Sequence, residues 1–215
     1  MLAQLNTLKT RLGIAAEVTD NDDLLTAFLQ LTSARFELEC QRRFAYAAET
    51  TFEFRADELA LRVDRFPVQS VARFDRKTSE ATGWEEITDV EYLLSPARAV
   101  IELSATLGSL REVGRVTYAG GYVLPGTTPE TGQTPLPVEL ELSCVEQGAY
   151  LFENRNRLGL VSVGGGGGAL EILRQLNLLP AGTTGPLSGT TWFKFMQADV
   201  LPGVQEVLAH YRRVG

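Results

Sequence analysis

The strongest structural signal in the sequence is a single long helix within residues 135–159. Pro137 suits its first turn, because a proline has no N–H to leave unpaired there. Gly159 suits its end, because glycine readily adopts the left-handed conformation that stops a helix. Two adjoining apolar stripes follow helical spacing: Val138, Leu142, Val145, Ala149 and Phe152, and Leu140, Cys144, Gly148 and Leu151. An apolar arc this wide predicts packing on more than one side, so we expect this helix to be the spine of the fold.

Two more helices are predicted before the spine. Residues 2–12 place leucines three and four positions apart and end before Gly13, which favours a short amphipathic helix. A second helix begins after the capping and acidic side chains of residues 19–23 and runs to about Phe44. One face of it is formed by Leu25, Phe28, Leu29, Thr32, Phe36 and Cys40. We expect this face to lie along the spine, burying Leu25, Phe28, Phe36, Val145 and Phe152.

Between the second helix and the spine, the hydrophobic period changes from helical to alternating. Short strands are predicted at residues 51–55, 59–63, 68–74, 84–87, 92–94, 99–103 and 113–118, with turn signals between them. Strands at this density indicate a small antiparallel sandwich or a barrel-like sheet. If the second helix packs on the spine, the β unit is an insertion that projects from a helical core.

The chain after the spine combines a glycine-rich arm with a closing helix. Five consecutive glycines occupy residues 164–168, residues 191–196 have strand-like content, and a helix is predicted near residues 204–213. The predicted fold class is α+β, with a helical core of long antiparallel helices, an inserted small antiparallel β domain and a Gly-rich arm before a C-terminal helix. The predicted segments are 1–48 (first part of the core), 49–124 (β domain), 125–159 (spine), 160–199 (arm) and 200–215 (C-terminal helix).

Composition excludes some classes of function. The net charge of −7 makes it improbable that the whole surface grips nucleic acid, because phosphate contact requires clustered Lys and Arg. Cys40 and Cys144 each fall among apolar residues of a predicted helix, which indicates buried free thiols in a reducing cytoplasm. We expect no signal peptide, because no basic region followed by an apolar run opens the sequence. We also expect no membrane-spanning segment.

A search for chemistry finds no enzyme signature. The single histidine, His210, has no HExxH or G-x-S-x-G motif beside it, so we interpret it as a surface or interface residue. The run of glycines lacks the Gly-Lys-Ser/Thr ending of a phosphate loop, and a flexible loop explains it better. Neighbouring carboxylates occur at Asp57 and Glu58 and at Glu85 and Glu86. Adjacent residues of a strand, such as the second pair, point to opposite faces, so we interpret these pairs as a solvated rim. The sequence therefore predicts no catalytic residue, no cofactor and no metal ion.

Several segments together resemble one known family, the head-to-tail connector (adaptor) proteins of long-tailed bacteriophages and gene transfer agents. The resemblance rests on residues 23–44 (DLLTAFLQLTSARFELECQRRF) and on residues 116–122 (VTYAGGY), which precede a Pro/Gly loop. It also rests on the Leu136-Pro137 pair, the helix end at residues 153–159 (ENRNRLG) and the closing residues 201–213 (LPGVQEVLAHYRR). The sequence departs from the pattern at residues 169–196, which are longer than the family's Gly-rich loop.

The resemblance implies a structural protein of the virion neck, made in the cytoplasm of the host bacterium. Such adaptors form a twelve-fold homo-oligomeric ring beneath the portal protein and present a platform to a stopper or tail-completion protein. Double-stranded DNA passes through the lumen without sequence-specific binding, which suits an acidic chain. Two alternatives stay open: a stopper or tail-completion protein one ring further down, or a ligand- or glycan-binding β module on a helical stalk.

Two interfaces are expected from this interpretation. The C-terminal helix is expected to grip the portal through Val204, Val207, Leu208, His210, Tyr211, Arg212 and Arg213, because a short helix borrows stability from a docking surface. The alternative is that it folds back on its own core. The arm is expected to order against a neighbouring subunit or the channel wall through Gly164, Gly165, Gly166, Gly167, Gly168, Trp192, Phe193 and Phe195.

Overall fold

The computed structural model describes residues 1–95, 97–155, 160–164, 192–195 and 200–213, the backbone alone at 160–164 and 192–195. Within that part of the chain the helices are α1 (Leu5–Arg11), α2 (Asp22–Cys40), α3 (Val138–Glu153) and α4 (Pro202–Tyr211). The strands are β1 (Ala47–Arg55), β2 (Ala60–Arg62), β3 (Val68–Lys77), β4 (Trp84–Ile87), β5 (Tyr92–Leu94), β6 (Val100–Leu103), β7 (Val113–Gly120), β8 (Tyr122–Val123), β9 (Thr134–Pro135), β10 (Leu160–Gly164) and β11 (Trp192–Phe195). The predicted α+β class is confirmed; the five-part division of the chain stays a prediction.

The β unit consists of two antiparallel sheets around a shared core. The first has the strand order β1-β7-β3-β4 and the second β2-β6-β5. Every strand predicted in this region is present, and three of them are longer than expected. Side chains from both sheets form one apolar cluster whose buried members include Phe54, Leu61, Phe74, Ile101, Val116 and Tyr118. The alternating pattern predicted these strands because a strand with one buried face places every second side chain on that face, as in the burial of β2 and β5.

A hydrogen-bonded tyrosine fixes the loop between β2 and β3 to the main sheet. Tyr118 on β7 is fully buried, and its hydroxyl donates to Asp64 Oδ1 at 2.8 Å. The same hydroxyl accepts a hydrogen bond from the Arg65 N–H at 3.1 Å. Burial, with the neighbouring Asp64 carboxylate, raises the pKa of Tyr118. The hydroxyl therefore stays protonated and can hold both partners at neutral pH.

The helical core forms a second apolar cluster. α2 and α1 pack on α3, and α4 packs on both α3 and α2. Gly148 lies where α3 approaches α2, and a Cβ there would come within 3.3 Å of Leu29 Cδ2. The buried residues of this cluster include Leu8, Leu25, Leu29, Phe36, Cys40, Phe44, Leu140, Cys144, Val145, Val204 and Leu208. An antiparallel arrangement of these helices stays a prediction.

Two expectations about the spine are corrected. α3 begins at Val138 with Pro137 at its N-cap, and it ends at Glu153; Gly159 lies outside the described residues. Of the first predicted stripe, Val138 and Leu142 are exposed. Val145 and Ala149 of the same stripe are buried in the helical cluster. The whole of the second stripe is buried, and it comprises Leu140, Cys144, Gly148 and Leu151. The helical period identified both apolar stripes of α3, but the surrounding helices cover only some of their residues.

The second helix also differs from its expectation. α2 ends at Cys40, because Gln41 adopts a left-handed conformation with φ of 51° and its N–H reaches the Leu38 carbonyl. Phe28 is only half-buried and lies outside the core cluster, and Phe152 is half-buried at its edge. The burial predicted for these two rings is therefore wrong, whereas that predicted for Leu25, Phe36 and Val145 is confirmed.

An ion pair between a buried lysine and a half-buried aspartate joins the first two helices. Lys9 on α1 is almost fully buried, and its Nζ lies 2.8 Å from Asp22 Oδ1 at the start of α2. The ammonium group also donates to the Ala16 carbonyl at 2.9 Å. Asn21, at the N-cap of α2, makes no side-chain cap hydrogen bond, so the acidic segment predicted as a cap acts here through its charge.

The two cysteines are free and buried, as predicted. Burial raises the pKa of both thiols to about 11, so neither is a thiolate at neutral pH. The Cys144 thiol lies 3.7 Å from the Ser33 hydroxyl, and the Cys40 thiol lies 3.6 Å from the Leu208 carbonyl. Both cysteines therefore act as small core residues.

Part of the predicted arm is visible as a two-stranded sheet. β10 pairs with β11 in antiparallel register, and Gly164 lies opposite Trp192. The strand-like content predicted at residues 191–196 agrees with β11. Gly165, Gly166, Gly167 and Gly168 lie outside the described residues, together with residues 169–191. Contacts of the arm with a neighbour stay a prediction. None of the helices described is both long and apolar enough to cross a membrane.

Candidate assembly surface at the helix ends

The apolar stripe predicted on the C-terminal helix packs on the protein's own core. Val204 and Leu208 of α4 are buried, and Val207 and Tyr211 are partly buried against the same cluster. The Leu201 N–H donates to Gln147 Oε1 at 2.9 Å, and the Tyr211 hydroxyl donates to the Glu139 carboxylate of α3. In this fold the stripe is therefore not a free docking face. Contact with a portal stays a prediction, and it has to use the outward side of α4.

The outward side of α4 carries its polar residues. His210 is exposed, and its Nδ1 lies 2.9 Å from the Glu206 carbonyl in the preceding turn. Arg212 is exposed and lies 3.4 Å from the Glu39 carboxylate of α2. The Arg213 N–H donates to the Cys40 carbonyl at 2.9 Å, and its guanidinium lies 5.1 Å from the Phe52 ring. The end of the chain is thereby held against the C-terminal end of α2.

Arginines that follow α2 and arginines that follow α4 lie close together at the C-terminal end of α2. Arg43, which follows α2, is exposed and pairs with Glu37 at 3.2 Å. Two adjoining depressions, of about 500 and 410 Å³, share Leu38 and Gln41 in their linings. We call this region the helix-end surface; its exposed and half-buried residues are Ala34, Glu37, Leu38, Glu39, Gln41, Arg43, Asp64, Arg212 and Arg213. Cations suit the negative end of α2, and the carboxylates of Glu37 and Glu39 pair with Arg43 and Arg212 at 3.2 and 3.4 Å.

Arg42 lies beneath this surface and is almost fully buried. Its guanidinium stacks 3.2 Å from the centre of the Phe66 ring and lies 4.9 and 5.4 Å from the rings of Phe44 and Tyr122. The Nη2 group donates to the Phe66 carbonyl, whereas Nε and Nη1 have no partner among the described residues. Burial lowers the pKa of Arg42 to about 10, so the side chain remains positive at neutral pH.

The three rings around Arg42 come from both parts of the fold. Phe66 belongs to the β2–β3 loop, and Phe44 lies in the helical core with Tyr122 packed against it. Backbone hydrogen bonds follow the same boundary: Tyr122 N–H donates to the Phe44 carbonyl at 2.7 Å, and Arg43 N–H donates to the Asp64 carbonyl at 2.9 Å. This junction holds the β unit on the helical core.

Replacing Arg42 tests whether its charge or its packing supports the junction. Arg42→Met should change the free energy of unfolding by about 1 kcal/mol or less, because methionine keeps the ring contacts without a buried, half-satisfied cation. Arg42→Ala should lower it by roughly 2–4 kcal/mol, because it leaves a cavity between three rings. Chemical denaturation of both variants measures the difference. An equal loss in both would show that the charge matters most.

The sequence predicted the positive end of α4 but not the junction. Arg42 was visible only as part of the Cys-x-Arg-Arg-Phe run, and its ring partners Phe66 and Tyr122 lie 24 and 80 positions further along the chain. A buried arginine among aromatic rings from distant segments produces no periodic pattern in the sequence. Among the residues described, no group of three or more His, Cys, Asp or Glu side chains could hold a metal ion.

The structure described so far is that of an α+β protein. Comparison with solved structures gives it relatives in fold. A chain from the neck of the empty GTA particle, computed with C6 symmetry, is 13% identical and has a TM-score of 0.51; the match covers 100% of this chain and 91% of that chain. A chain from the neck of the native GTA particle, computed with C12 symmetry, is 15% identical with a TM-score of 0.52, covering 100% and 90%.

A third chain, from the virion of the native gene transfer agent (GTA) particle, is 14% identical with a TM-score of 0.53 and coverages of 100% and 91%. No family model matches the protein, and no curated protein matches it in sequence. The resemblance to head-to-tail connectors predicted from the sequence is thus confirmed at the level of the fold, over the whole chain.

Proposed function

We propose that this protein is a structural component of the neck of a virion or virion-like particle. The observation that carries the proposal is the likeness in fold to chains of GTA necks, which covers the whole of this chain and nine-tenths of theirs. The helix-end surface supports it, because neck proteins act by contacting other proteins.

Within the neck, the protein acts as the head-to-tail adaptor. Twelve copies of it form a ring. The C12 symmetry with which the neck of the native GTA particle was computed supports a ring of twelve. The ring docks on the portal, extends the DNA channel and presents a platform to a stopper or tail-completion protein. The net charge of −7 supports passage of double-stranded DNA without adhesion, since acidic groups repel phosphates.

Deletion of the gene in a particle-producing host tests this role. Without the protein, DNA-filled heads and free tails should accumulate separately, and the wild-type gene supplied in trans should restore joining. Heads produced without tails should carry the protein, because an adaptor docks on the portal. Tailed, infectious or transducing particles that assemble without it would contradict the proposal, and its presence on free tails alone would favour the tail-completion alternative.

A charge-reversed variant then tests the outward side of α4. His210→Glu combined with Arg212→Glu should leave the melting temperature within a few degrees of wild type, because both side chains are exposed. Its incorporation into heads should fall by about tenfold or more if this side contacts the portal. Arg111→Glu, at an exposed arginine of the β unit, is the matched control and should incorporate normally. Normal incorporation of the double variant would place the portal contact elsewhere.

A further inference from the structure

The outward face of α2 carries an apolar stripe with no partner among the described residues. Its five residues, spaced alternately three and four positions apart, are Leu24, Ala27, Leu31, Ala34 and Leu38, and we call them the α2 outer stripe. All five are exposed, and the exposed fractions of Leu31 and Leu38 are 57% and 74%. The stripe lies opposite the face that α2 buries in the core, because the two sets are offset by about half a helical turn.

The spacing indicates that another helix covers this stripe. Apolar residues that recur every 3.5 positions on average stay on the side facing a partner helix, with each side chain fitting between residues of that partner. Alanine at every second position allows the two backbones to approach closely. The stripe extends about 21 Å along α2, which is long enough for a contact of four turns. Three exposed leucines in one line exceed the scattered exposure expected of an ordinary surface.

A matching surface exists on α3 of the same protein. Val138, Leu142 and Tyr150 are exposed along one ridge of the helix, with Glu146 between them, and we call this set the α3 outer patch. It extends about 18 Å, close to the length of the α2 outer stripe. Since both surfaces are exposed, neither covers the other within one copy. Each is available to a second copy.

The charges at the helix ends favour one relative direction. α2 begins with Asp22 and Asp23, and the exposed Arg43 follows its end; α3 begins with Glu139 and Glu141, and the exposed Arg155 follows its end. An antiparallel contact places Arg43 near the acidic start of α3 and the acidic start of α2 near Arg155. A parallel contact would place like charges, and like ends of the helix dipoles, together.

We propose that the α2 outer stripe of one copy packs antiparallel on the α3 outer patch of the next copy. The two surfaces differ, so the contact is head-to-tail, and repeated rotation about one axis closes it into a ring. This contact supplies the subunit interface of the ring in the proposed function, and it rests on that function for its biological setting.

Disulfide cross-linking tests both the contact and its direction. Single-cysteine additions Leu38→Cys and Val138→Cys are made in the full chain, whose native Cys40 and Cys144 are buried. Under mild oxidation, a mixture of these two variants should form a disulfide-linked dimer, and the chain carrying both should form a ladder of multimers. Leu24→Cys mixed with Val138→Cys should form no such dimer, because those positions lie at opposite ends of an antiparallel contact. The unaltered chain is the control and should stay uncrosslinked.

Each outcome of this test decides the inference. Cross-linking of Leu24→Cys but not Leu38→Cys with Val138→Cys would overturn the direction, and dimers of Leu38→Cys alone would indicate a symmetric α2–α2 contact instead. If none of these cross-links forms, either in concentrated solution or in particles that carry the protein, the proposed contact is overturned. Failure of the proposed function is recognised separately, by absence of the protein from particle necks. In that case the cross-links in solution still test the interface.

Substitution within the stripe provides an independent measurement. Leu31→Glu should raise the concentration needed for ring formation by about tenfold or more, since it places a charge in the middle of the apolar contact. Leu110→Glu, at an exposed leucine of the β unit, is the matched control and should not change assembly. Unchanged assembly of Leu31→Glu, with its fold confirmed by circular dichroism, would overturn the inference.

Discussion

Phe36→Ala is expected to lower the free energy of unfolding by roughly 3–5 kcal/mol. Phe36 lies on α2 and is fully buried in the helical cluster, which also contains Leu140 and Cys144 of α3. Removing its ring loses the transfer energy of a large apolar side chain, and it leaves a cavity that rigid helices fill only in part. Denaturant titration followed by circular dichroism measures the loss.

Phe28→Ala is the matched control for that variant. The residue type and the helix are the same, but Phe28 is half-buried and lies outside the core cluster. Its loss should cost about 1 kcal/mol, because little buried area disappears and no closed cavity forms. If both substitutions cost the same, the core of the helical part is not where the structure places it. A large loss at Phe28 alone would mean that this ring is the covered one.

The β unit shows how far local pattern determines a structure. Strands β4 and β5 begin and end where the alternation and the turn residues predicted, at 84–87 and 92–94. In β5, the partly buried Tyr92 and Leu94 lie on either side of the exposed Leu93, which is the period of two of a half-buried strand. In β4 only the two end residues, Trp84 and Ile87, are partly buried. The pairing order β1-β7-β3-β4 was not predictable in the same way, because it depends on contacts between residues far apart in sequence.

The helices show where local pattern stops being informative. α2 is apolar on two opposite sides, and the sequence alone marked only the side of Leu25, Leu29 and Phe36 as important. On α3, Val138 and Leu142 were expected to be covered and are exposed. A helix of a protein that assembles has to carry apolar residues both for its own core and for its neighbours. The helical period of the sequence identifies such residues. Only the positions of the other helices and strands show which of them pack in the core and which are exposed to a neighbour.

The candidate site divides in the same way. The cationic end of α4 could be predicted, because His210, Arg212 and Arg213 are adjacent in the sequence. The burial of the apolar stripe of α4 depends on α2 and α3, and even the nearer of these helices, α3, ends 49 residues before α4 begins. The position of Arg42 between Phe44, Phe66 and Tyr122 depends on the junction between the helical core and the β unit, which has no local signature.

The second large effect is expected at Gly121, between β7 and β8 in the same junction. Its φ is +100°, a conformation that residues with a side chain rarely adopt. A Cβ atom would come within 2.6 Å of the Ala45 carbonyl oxygen and within 3.0 Å of the Phe44 carbonyl oxygen. These are backbone atoms that cannot rotate away. The Gly121 N–H also donates to the Pro67 carbonyl at 3.1 Å, so a shift of the chain here disturbs the β2–β3 loop as well.

Gly121→Ala should therefore cost roughly 3–5 kcal/mol, through backbone strain and steric overlap together. Gly132→Ala is the matched control, because Gly132 has a φ of +88° but nothing within 4 Å of a Cβ position. It should cost only about 1–2 kcal/mol, the penalty of the dihedral angle itself. The difference between the two variants in denaturant titration measures the close approach of the two chain segments. Equal costs would mean that the junction can open by a few tenths of an ångström without loss, and that Arg42 and its rings, rather than this backbone contact, hold the β unit on the helical core.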